Sequence, residues 1–536
     1  METTPPSAYA PFRRPVFRWL WLANLASNVG VWVQTVGAAW LMSELSAEPL
    51  YVALIQSAGL LPFFLLALPS GALADILDRR HMLLAAQVWM FLVAVVLATV
   101  TLLGIIGPWG LLGLTFLIGI GTALNAPAFQ ALTPDLVPKE EVPSAIALNS
   151  MSMNMARAVG PAIGGVLVAA AGPGAAFVLN AVTYTGVIAV LALWRKPAEE
   201  TALPAERLFG AMRVGVRYVR HSPPFRAVLV RASAFVLGGS GLWALLPVVV
   251  RSDPSRGPVE YGILLGCLGA GAVGGALLLP VFTRRLSADR LVDAGTVVFA
   301  AASVVIALVP EFWLWCVVLV PAGTAWLTAL TRLNAAAQAV LPRWVRARAL
   351  SVFLVVFFGG IAAGSALWGG VANAIGGELS LLASAVATAL GVLAGLRFRL
   401  HQPAGVDLSP SRHWPEPHTG HDFDGGRGPV LVTIEYRVRP DDVPAFLNAL
   451  QPLRLARLRG GAVRWDVFED AADADRFVET FLVESWVEHL RQHERVTEAD
   501  KKVQEYVNSF HQGDAPPVVA HLVSARRGVP RAAGEL

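Results

Sequence analysis

Two arginines stand inside long apolar stretches of the sequence. Arg157 and Arg332 are the ionisable residues that we place well inside predicted membrane spans. A charge near the bilayer centre costs at least about 2.5 kcal/mol, so it normally faces a cavity or a partner. A position within one turn of the cytoplasmic surface would instead let the side chain snorkel there. Both arginines are candidates for a polar pathway.

Neutral amide side chains occur at a comparable depth, where they either contact a substrate or join helices by hydrogen bonds. The candidates for a substrate cavity are Asn24, Asn28, Gln34, Asn125, Gln130, Arg332, Asn334 and Gln338. No Asp or Glu is predicted deep in a span, because Glu44, Asp75 and Glu260 all fall at span edges. The sequence therefore does not identify a residue that carries a coupling ion.

These residues are positioned by an unusually apolar chain. Of its 536 residues 55% are hydrophobic and 15% are charged, and the formal net charge is +4. This composition is typical of a polytopic membrane protein, and the absence of a continuous basic stripe argues against nucleic acid as a partner. No Walker-type phosphate loop is present, so direct ATP drive is not expected.

Each membrane-spanning helix needs about 20 apolar residues, and the sequence contains twelve such runs. The predicted spans are Trp19–Ser43, Tyr51–Ala74, Leu83–Ile106, Trp109–Thr133, Ser144–Ala171, Ala175–Trp194, Ala227–Val250, Tyr261–Phe282, Leu291–Val309, Trp313–Ala339, Leu350–Ile375 and Leu379–Leu396. Lys and Arg concentrate in the loops on one side, which predicts that both termini are cytoplasmic in the inner (plasma) membrane. The fold class expected is an all-α protein of two six-helix bundles with a C-terminal α+β domain.

The loop after the second span has an ordered motif. It runs from Gly71 to Arg80, and its matching positions are Gly71, Leu73, Asp75, Arg79 and Arg80. This loop resembles the signature of the major facilitator superfamily, with Ile76 in place of the usual Arg and Asp78 in place of the usual Gly. The resemblance implies a two-bundle carrier in which this loop holds the bundles together in the outward-facing state.

The fifth span carries a second motif. It consists of Asn154, Arg157, Gly160, Pro161, Gly164 and Gly165. Closely spaced glycines allow tight helix packing, and a proline adds a local kink. The segment is similar to one found in exporters of the superfamily, and with the region from Asn125 it resembles the branch of enterobactin exporters and macrolide-efflux carriers. The resemblance implies antiport-type efflux; packing by small residues alone would also explain the glycines.

The sequence after the last span changes to the composition of a soluble domain. Strands are predicted at Val430–Val438, Ala462–Glu469, Arg476–Glu484 and Val518–Val523, and helices at Asp441–Arg459 and Trp486–Phe510. This βαββαβ order is the ferredoxin-like arrangement and resembles antibiotic-biosynthesis-monooxygenase-like domains, which usually pair through their sheets. Dimerisation through this domain is therefore an expectation.

Two features of the soluble domain could carry chemistry. His489 and His493 are four residues apart, but their charged neighbours indicate a solvated face, so we predict no metal site and no cofactor. Trp465, Phe481 and Trp486 could line a ligand pocket, although core packing is the simpler interpretation.

The predicted domains are an N-terminal bundle (1–194), a cytoplasmic bridge with an amphipathic helix (195–226), a C-terminal bundle (227–400), a flexible linker (401–428), the ferredoxin-like domain (429–524) and a disordered tail (525–536). The predicted function is secondary active export of small organic molecules such as siderophores, macrolides or drugs, with the proton as coupling ion. The alternative is a transporter–enzyme fusion whose C-terminal domain is a cofactor-independent monooxygenase-like enzyme. Inward nutrient transport is a third interpretation, which the glycine motif disfavours.

Overall fold

The computed structural model describes residues 9–76, 78–194, 215–400, 407–415, 426–513 and 515–525, except for the side chains at 67, 68, 71–76, 131 and 347. The chain forms two compact units. The first contains residues 1–208, 227–336 and 353–400, and the second contains residues 209–226, 337–352 and 401–536.

Helices, most of them long and apolar, make up most of the first unit. They are α1 (Pro15–Leu45), α2 (Pro49–Ile76), α3 (Arg79–Leu102), α4 (Pro108–Leu132), α5 (Val142–Leu193), α6 (Pro223–Arg251), α7 (Pro258–Arg285), α8 (Ala288–Leu308), α9 (Phe312–Ala339), α10 (Arg346–Ile375), α11 (Gly377–Leu390) and α12 (Val392–Arg397). Several begin with proline in the first turn, where the missing N–H has no helical partner to lose.

The predicted membrane spans correspond to these helices. In the described part of the chain, ten segments are long and apolar enough to cross a bilayer. One of them contains α5, whose 52 residues cover the fifth and sixth predicted spans. Gly172 divides α5, because its φ of 79° lies in the left-handed region that favours glycine. The helix α1, which matches the first predicted span, is outside the ten, so the count of twelve spans stays a prediction.

A four-stranded antiparallel sheet forms the centre of the C-terminal domain. Its strands are β1 (Val430–Arg437), β2 (Ala462–Asp470), β3 (Asp473–Val483) and β4 (Val518–Val523), in the order β2-β3-β1-β4. The helix α13 (Val443–Gly460) lies between β1 and β2 in sequence. Alternate residues of β1 are buried, as expected for a sheet with one face covered. The small α+β domain predicted from the sequence is thus present, and its specifically ferredoxin-like classification stays a prediction.

The single helix predicted at Trp486–Phe510 is wrong. The structure contains two helices, α14 (Trp486–Arg495) and α15 (Glu498–Asn508). Thr497 starts the second one with a capping box, in which its hydroxyl accepts from the Asp500 N–H and the Asp500 carboxylate accepts from the Thr497 N–H at 3.1 Å. This arrangement satisfies N–H groups at the start of a new helix, which lack a partner within the helix.

Part of the segment predicted to be a flexible linker is ordered. Ser411 donates its N–H to the Val496 carbonyl at 2.9 Å, and Ser409 accepts from the Glu498 N–H at 3.0 Å. Trp414 donates its indole N–H to Gln504 at 2.9 Å. Residues 407–415 therefore belong to the C-terminal domain. Most of the predicted bridge helix (195–214) and nearly all of the predicted tail (526–536) lie outside the described residues.

Candidate transport pathway and polar clusters

The arginines of the loop motif bind to neighbouring helix ends. Arg79 contacts the Asp135 carboxylate at 3.4 Å, and Arg80 donates to the Leu191 carbonyl at 2.7 Å and the Ala192 carbonyl at 3.0 Å. These carbonyls belong to the last turn of α5, where helical C=O groups lack a partner within the helix. Asp78 accepts from the His81 N–H at 2.9 Å and so begins α3.

The other motif positions, Gly71, Leu73 and Asp75, lie near the end of α2, and their side chains fall outside the described residues. The latch that the resemblance implies for this loop stays a prediction.

The glycine motif of α5 serves two different helix contacts. A Cβ on Gly160 would lie 2.6 Å from the Cβ of Trp32, and one on Gly164 would lie 3.1 Å from the Cα of Val33, so both glycines face α1. A Cβ on Gly165 would lie 2.5 Å from the carbonyl oxygen of Pro258 and therefore faces α7. Gly165 marks a contact between the two halves of the sequence.

The same crossing is lined by glycines of α7. A Cβ on Gly262 would lie 2.6 Å from the Pro161 carbonyl oxygen and 2.9 Å from the Gly165 Cα. Further along α7, a Cβ on Gly269 would lie 2.8 Å from the Cα of Ala158. The obstructing atoms are backbone atoms, which cannot rotate away. Glycine is required here because the two helix backbones approach each other directly.

A second crossing between the halves joins α2 to α10. Ser57 donates to the Ala362 carbonyl at 2.7 Å, and the rings of Phe63 and Phe358 lie 4.6 Å apart. At the start of α2, the Leu50 N–H donates to the Asn373 side chain at 2.9 Å.

An arginine adds a bond between the halves at the same end of the helices. Arg251, at the end of α6, donates to the Ser43 hydroxyl at 3.0 Å. This end is opposite to the one that carries Arg79 and Arg80.

Arg157 lies next to one aromatic ring. Its guanidinium lies 5.9 Å from the centroid of the Trp32 ring, a cation–π distance. Trp32 in turn lies 6.4 Å from Trp243 of α6. The indole N–H of Trp243 and the Nε of Arg332 are buried and make no hydrogen bond in the described part of the chain. Unpaired buried donors of this kind suit a site that receives an acceptor from a substrate or from water.

Several predicted cavity residues instead bond sideways to other helices. Gln34 is buried and accepts from Asn180, and Asn125 accepts from Gln87 at 2.9 Å. In the exporter motif, Asn154 donates to the Ser150 carbonyl of its own helix at 3.0 Å.

The remaining predicted cavity residues differ in their exposure. Asn24, Asn28 and Asn334 are half-buried, whereas Gln130 and Gln338 are exposed.

One buried ion-pair cluster is not predicted from the sequence. Arg231 of α6, only 2% exposed, binds the carboxylates of Asp289 and Asp293 in α8. Asp289 also accepts from the Leu400 N–H at 2.9 Å. All three charged residues lie within two turns of the ends of predicted spans, where charges are common. Their positions in the sequence therefore do not predict that they form ion pairs.

The C-terminal domain has a carboxylate in its core that accepts three hydrogen bonds. Glu479 is completely buried and accepts from the Tyr436 hydroxyl at 3.0 Å, the Arg457 Nε at 3.0 Å and the Trp465 indole N–H at 2.9 Å. Phe481 and Trp486 are buried in the same core. The interpretation of Trp465, Phe481 and Trp486 as core residues is confirmed.

A histidine cluster lies at one end of this domain. His489 is only 1% exposed, which contradicts the solvated face expected for its helix. Its Nε2 lies 3.3 Å from the Nε2 of His493, and the ring of His521 in β4 lies 4.7 Å from its ring centre. Burial and the neighbouring histidines lower the pKa of His489 to about 3, and burial lowers that of His493 to about 4.

A carboxylate next to this cluster holds two arginines. Glu488 contacts Arg217 at 3.1 Å and Arg495 at 2.5 Å, and the Arg495 guanidinium lies 4.7 Å from the Trp344 ring centre. Burial opposes ionisation of Glu488, but the hydrogen bonds and charges of Arg495 and Arg217 outweigh it and lower its pKa. The segments around Arg217 and Trp344 therefore belong to one compact unit with the C-terminal domain.

Two halves of long apolar helices that cross through glycines, with a basic loop between α2 and α3, define a transporter of the major facilitator type. The chain belongs to the family described as transmembrane secretion effectors, which matches residues 6–529.

Curated relatives of the chain are transport proteins. The chain is 25% identical to the staphyloferrin A transporter of Staphylococcus aureus, over 51% of this chain and 69% of that protein. It is 24% identical to the multidrug efflux pump Tap of Mycolicibacterium fortuitum, over 71% and 95% of the two chains. It is 25% identical to the enterobactin exporter EntS of Salmonella typhi, over 71% and 90%.

Solved structures share the fold. A bacterial homolog of the human lysosomal transporter Spinster, in an inward-facing and unoccupied conformation, aligns with a TM-score of 0.58 at 19% identity, covering 74% of this chain and 99% of that one. A POT family transporter in complex with a thioalcohol-conjugated peptide aligns with a TM-score of 0.59 at 14% identity, covering 71% of this chain and 95% of that one. The predicted membrane-transporter fold is confirmed, and the family is one of transporters, not enzymes.

Proposed function

We propose that the protein exports small organic molecules from the cytoplasm by alternating access, with the proton gradient as the energy source and both termini on the cytoplasmic side of the inner membrane. The observation that carries this proposal is the contact between Gly165 and Gly262, where two halves of the chain cross without intervening side chains. A crossing of this kind allows one bundle to rock against the other around a fixed contact, which is how carriers of this architecture alternate.

Contacts at one end of the helices support a particular state of the cycle. The Leu50–Asn373 and Ser43–Arg251 bonds join the halves at the end opposite to the basic loops. Because basic loops are expected in the cytoplasm, we infer that these bonds lie at the outer end and support a conformation closed to the outside. A substrate would then enter from the cytoplasm towards Arg157, Arg332 and Trp243.

The chemistry of these groups favours an electron-rich substrate. The guanidinium groups of Arg157 and Arg332 and the indole N–H of Trp243 are donors without acceptor capacity. Carboxylates, hydroxamates, catecholates and lactone carbonyls supply acceptors, and the aromatic rings of Trp32 and Trp243 offer apolar faces. The siderophore and macrolide classes of the relatives fit these requirements.

The enzyme alternative receives less support. Glu479 is a buried carboxylate of the C-terminal domain, and the three donors that it binds belong to the domain itself, which favours a structural role. A catalytic base would need an accessible lone pair directed towards a substrate.

The test is transport into inverted membrane vesicles. Siderophores, macrolides and cationic dyes are offered with the proton gradient imposed or collapsed, and the Asp75→Asn variant is compared with the wild type. We expect accumulation that requires the gradient and falls at least about tenfold in the variant. Accumulation that survives collapse of the gradient would overturn proton coupling, and failure to accumulate any compound would overturn export of these classes.

A further inference from the structure

Three histidines from two elements of the C-terminal domain converge. His489 and His493 lie one turn apart on α14, and His521 lies on β4, opposite Val432 of β1 on the helix-covered face of the sheet. One ligand atom of each of the three lies within 4.8 Å of the others. We propose that these histidines bind a divalent transition-metal ion, of which Zn²⁺ fits the donor set best.

The spacing of the first two nitrogens matches a coordination sphere. Zinc–nitrogen bonds of about 2.0–2.1 Å in a tetrahedron place two ligand nitrogens about 3.3 Å apart. The two Nε2 atoms of His489 and His493 are 3.3 Å apart. One ring nitrogen of the half-buried His521 lies within 4.8 Å of the ligand atoms of the other two histidines.

The side-chain amide of Gln492 favours the tautomer of His489 that can bind a metal ion through Nε2. The Nδ1 of His489 lies 3.4 Å from the Oε1 of Gln492, an oxygen that can only accept a hydrogen bond. This contact favours the tautomer with the proton on Nδ1, in which Nε2 presents its lone pair to the cluster. A second hydrogen bond of this type is what orients metal-binding histidines in general.

The positive charge nearest to the cluster is itself paired. Arg457 binds the Glu479 carboxylate at 3.0 Å, so its charge opposes a bound metal ion less than that of an isolated arginine would.

Three imidazoles leave one coordination position of a tetrahedral ion open. His493 and His521 are half-buried, so the ion and a fourth ligand can reach the site from the surface. The site therefore takes a water molecule or a ligand with a free lone pair as its fourth partner. Metal binding at this cluster is independent of the transported substrate and of the coupling ion.

The experiment measures metal binding by the full-length protein, purified in detergent without a polyhistidine tag and stripped with a chelator. Co²⁺ is added as the probe, and its visible ligand-field absorption reports four-coordinate binding; Zn²⁺ is then added to displace it. We expect one ion per chain and a loss of affinity above about 100-fold in His493→Gln and in His521→Gln. This exceeds the 10- to 100-fold expected for the supporting Gln492→Ala variant.

The control is His511→Gln, in the same domain. His511 accepts from the Arg437 N–H and stands outside the cluster, so this variant should bind like the wild type. Circular dichroism establishes that each variant is folded before its affinity is compared. Absence of stoichiometric binding by the wild type, or affinities unchanged in both cluster variants, would overturn the proposal.

Discussion

Gly165 and Gly262 approach so closely that a Cβ on Gly262 would lie 2.9 Å from the Cα of Gly165. The two residues belong to α5 and α7, which come from opposite halves of the chain. Any side chain at this point would separate the helices, because the obstructing atoms are backbone atoms.

The change Gly262→Ala should therefore reduce transport sharply. Overpacking of a close contact costs about 1–3 kcal/mol, and the shifted crossing should lower transport at least about tenfold. The matched control is Gly274→Ala in the same helix, where an added Cβ meets nothing within 4 Å. Vesicle transport and thermal unfolding in detergent measure both effects. Equal activity in the two variants would show that the crossing tolerates a side chain.

Glu488 should hold Arg217 against the C-terminal domain in a pH-dependent way. Because its pKa is lowered in the folded state, the folded protein binds this proton less readily than the unfolded chain. The stabilisation is complete above the ordinary glutamate pKa of about 4.3 and is lost as the pH falls through the lowered value. Hydrogen exchange of residues 215–226 should rise over that range.

The Glu488→Gln variant should show this faster exchange already at neutral pH, since its amide cannot form ion pairs. Glu494→Gln is the control, because this exposed neighbour lies on the same helix. Identical exchange in Glu488→Gln and wild type would refute a role for the ion pairs.

Removing the two carboxylates that bind Arg231 should destabilise the protein more than removing the arginine. Arg231 is 2% exposed, whereas its partners Asp289 and Asp293 are 30% and 34% exposed. The double change Asp289→Asn and Asp293→Asn leaves a buried charge alone and should cost about 3 kcal/mol or more. Arg231→Met leaves two carboxylates that can reach water and should cost less. Unfolding in detergent compares the two, with exposed Arg290→Gln as control; the reverse order would contradict the argument.

We expect the protein to dimerise through the sheet of the C-terminal domain, with leucines on the uncovered face of the sheet in the interface. Leu431 pairs with Leu482 on one side and Leu522 on the other, and Leu522 is 56% exposed. The Leu522→Lys variant should shift the protein from dimer to monomer in light scattering, with stability changed by no more than about 0.5 kcal/mol. Tyr506→Lys on the helical side, where the tyrosine is 59% exposed, should leave the mass unchanged. A monomeric wild type would rule out this interface.

The sequence predicts the positions of helices and strands better than it predicts which neighbour each side chain contacts. The bounds predicted for β4 match the structure, because the valine-rich segment Val518–Val523 directly follows two prolines. The end of α14 was missed, since the Thr497–Asp500 capping box lies within a continuous amphipathic pattern. Gln34 and Asn125 are predicted as cavity residues because they lie deep in apolar runs. The hydrogen bonds that they form depend instead on which helix packs against each side of their own helix.

The histidine cluster shows the same limit. The spacing of His489 and His493 was visible in the sequence, but His521 comes from a strand whose register with β1 only the folded sheet defines. Without the third imidazole, the charged neighbours of the helix were the stronger signal.

The break between α14 and α15 has a thermodynamic consequence. An isolated helix shorter than about 12–15 residues is marginal in water, and α14 has ten residues. Its order therefore depends on what it contacts: the arginines at Glu488 on one side and the imidazoles at His489 on the other. Whatever binds at one side reduces the conformational entropy that binding at the other side must remove, so two ligands of this short helix would act cooperatively without any change in its shape.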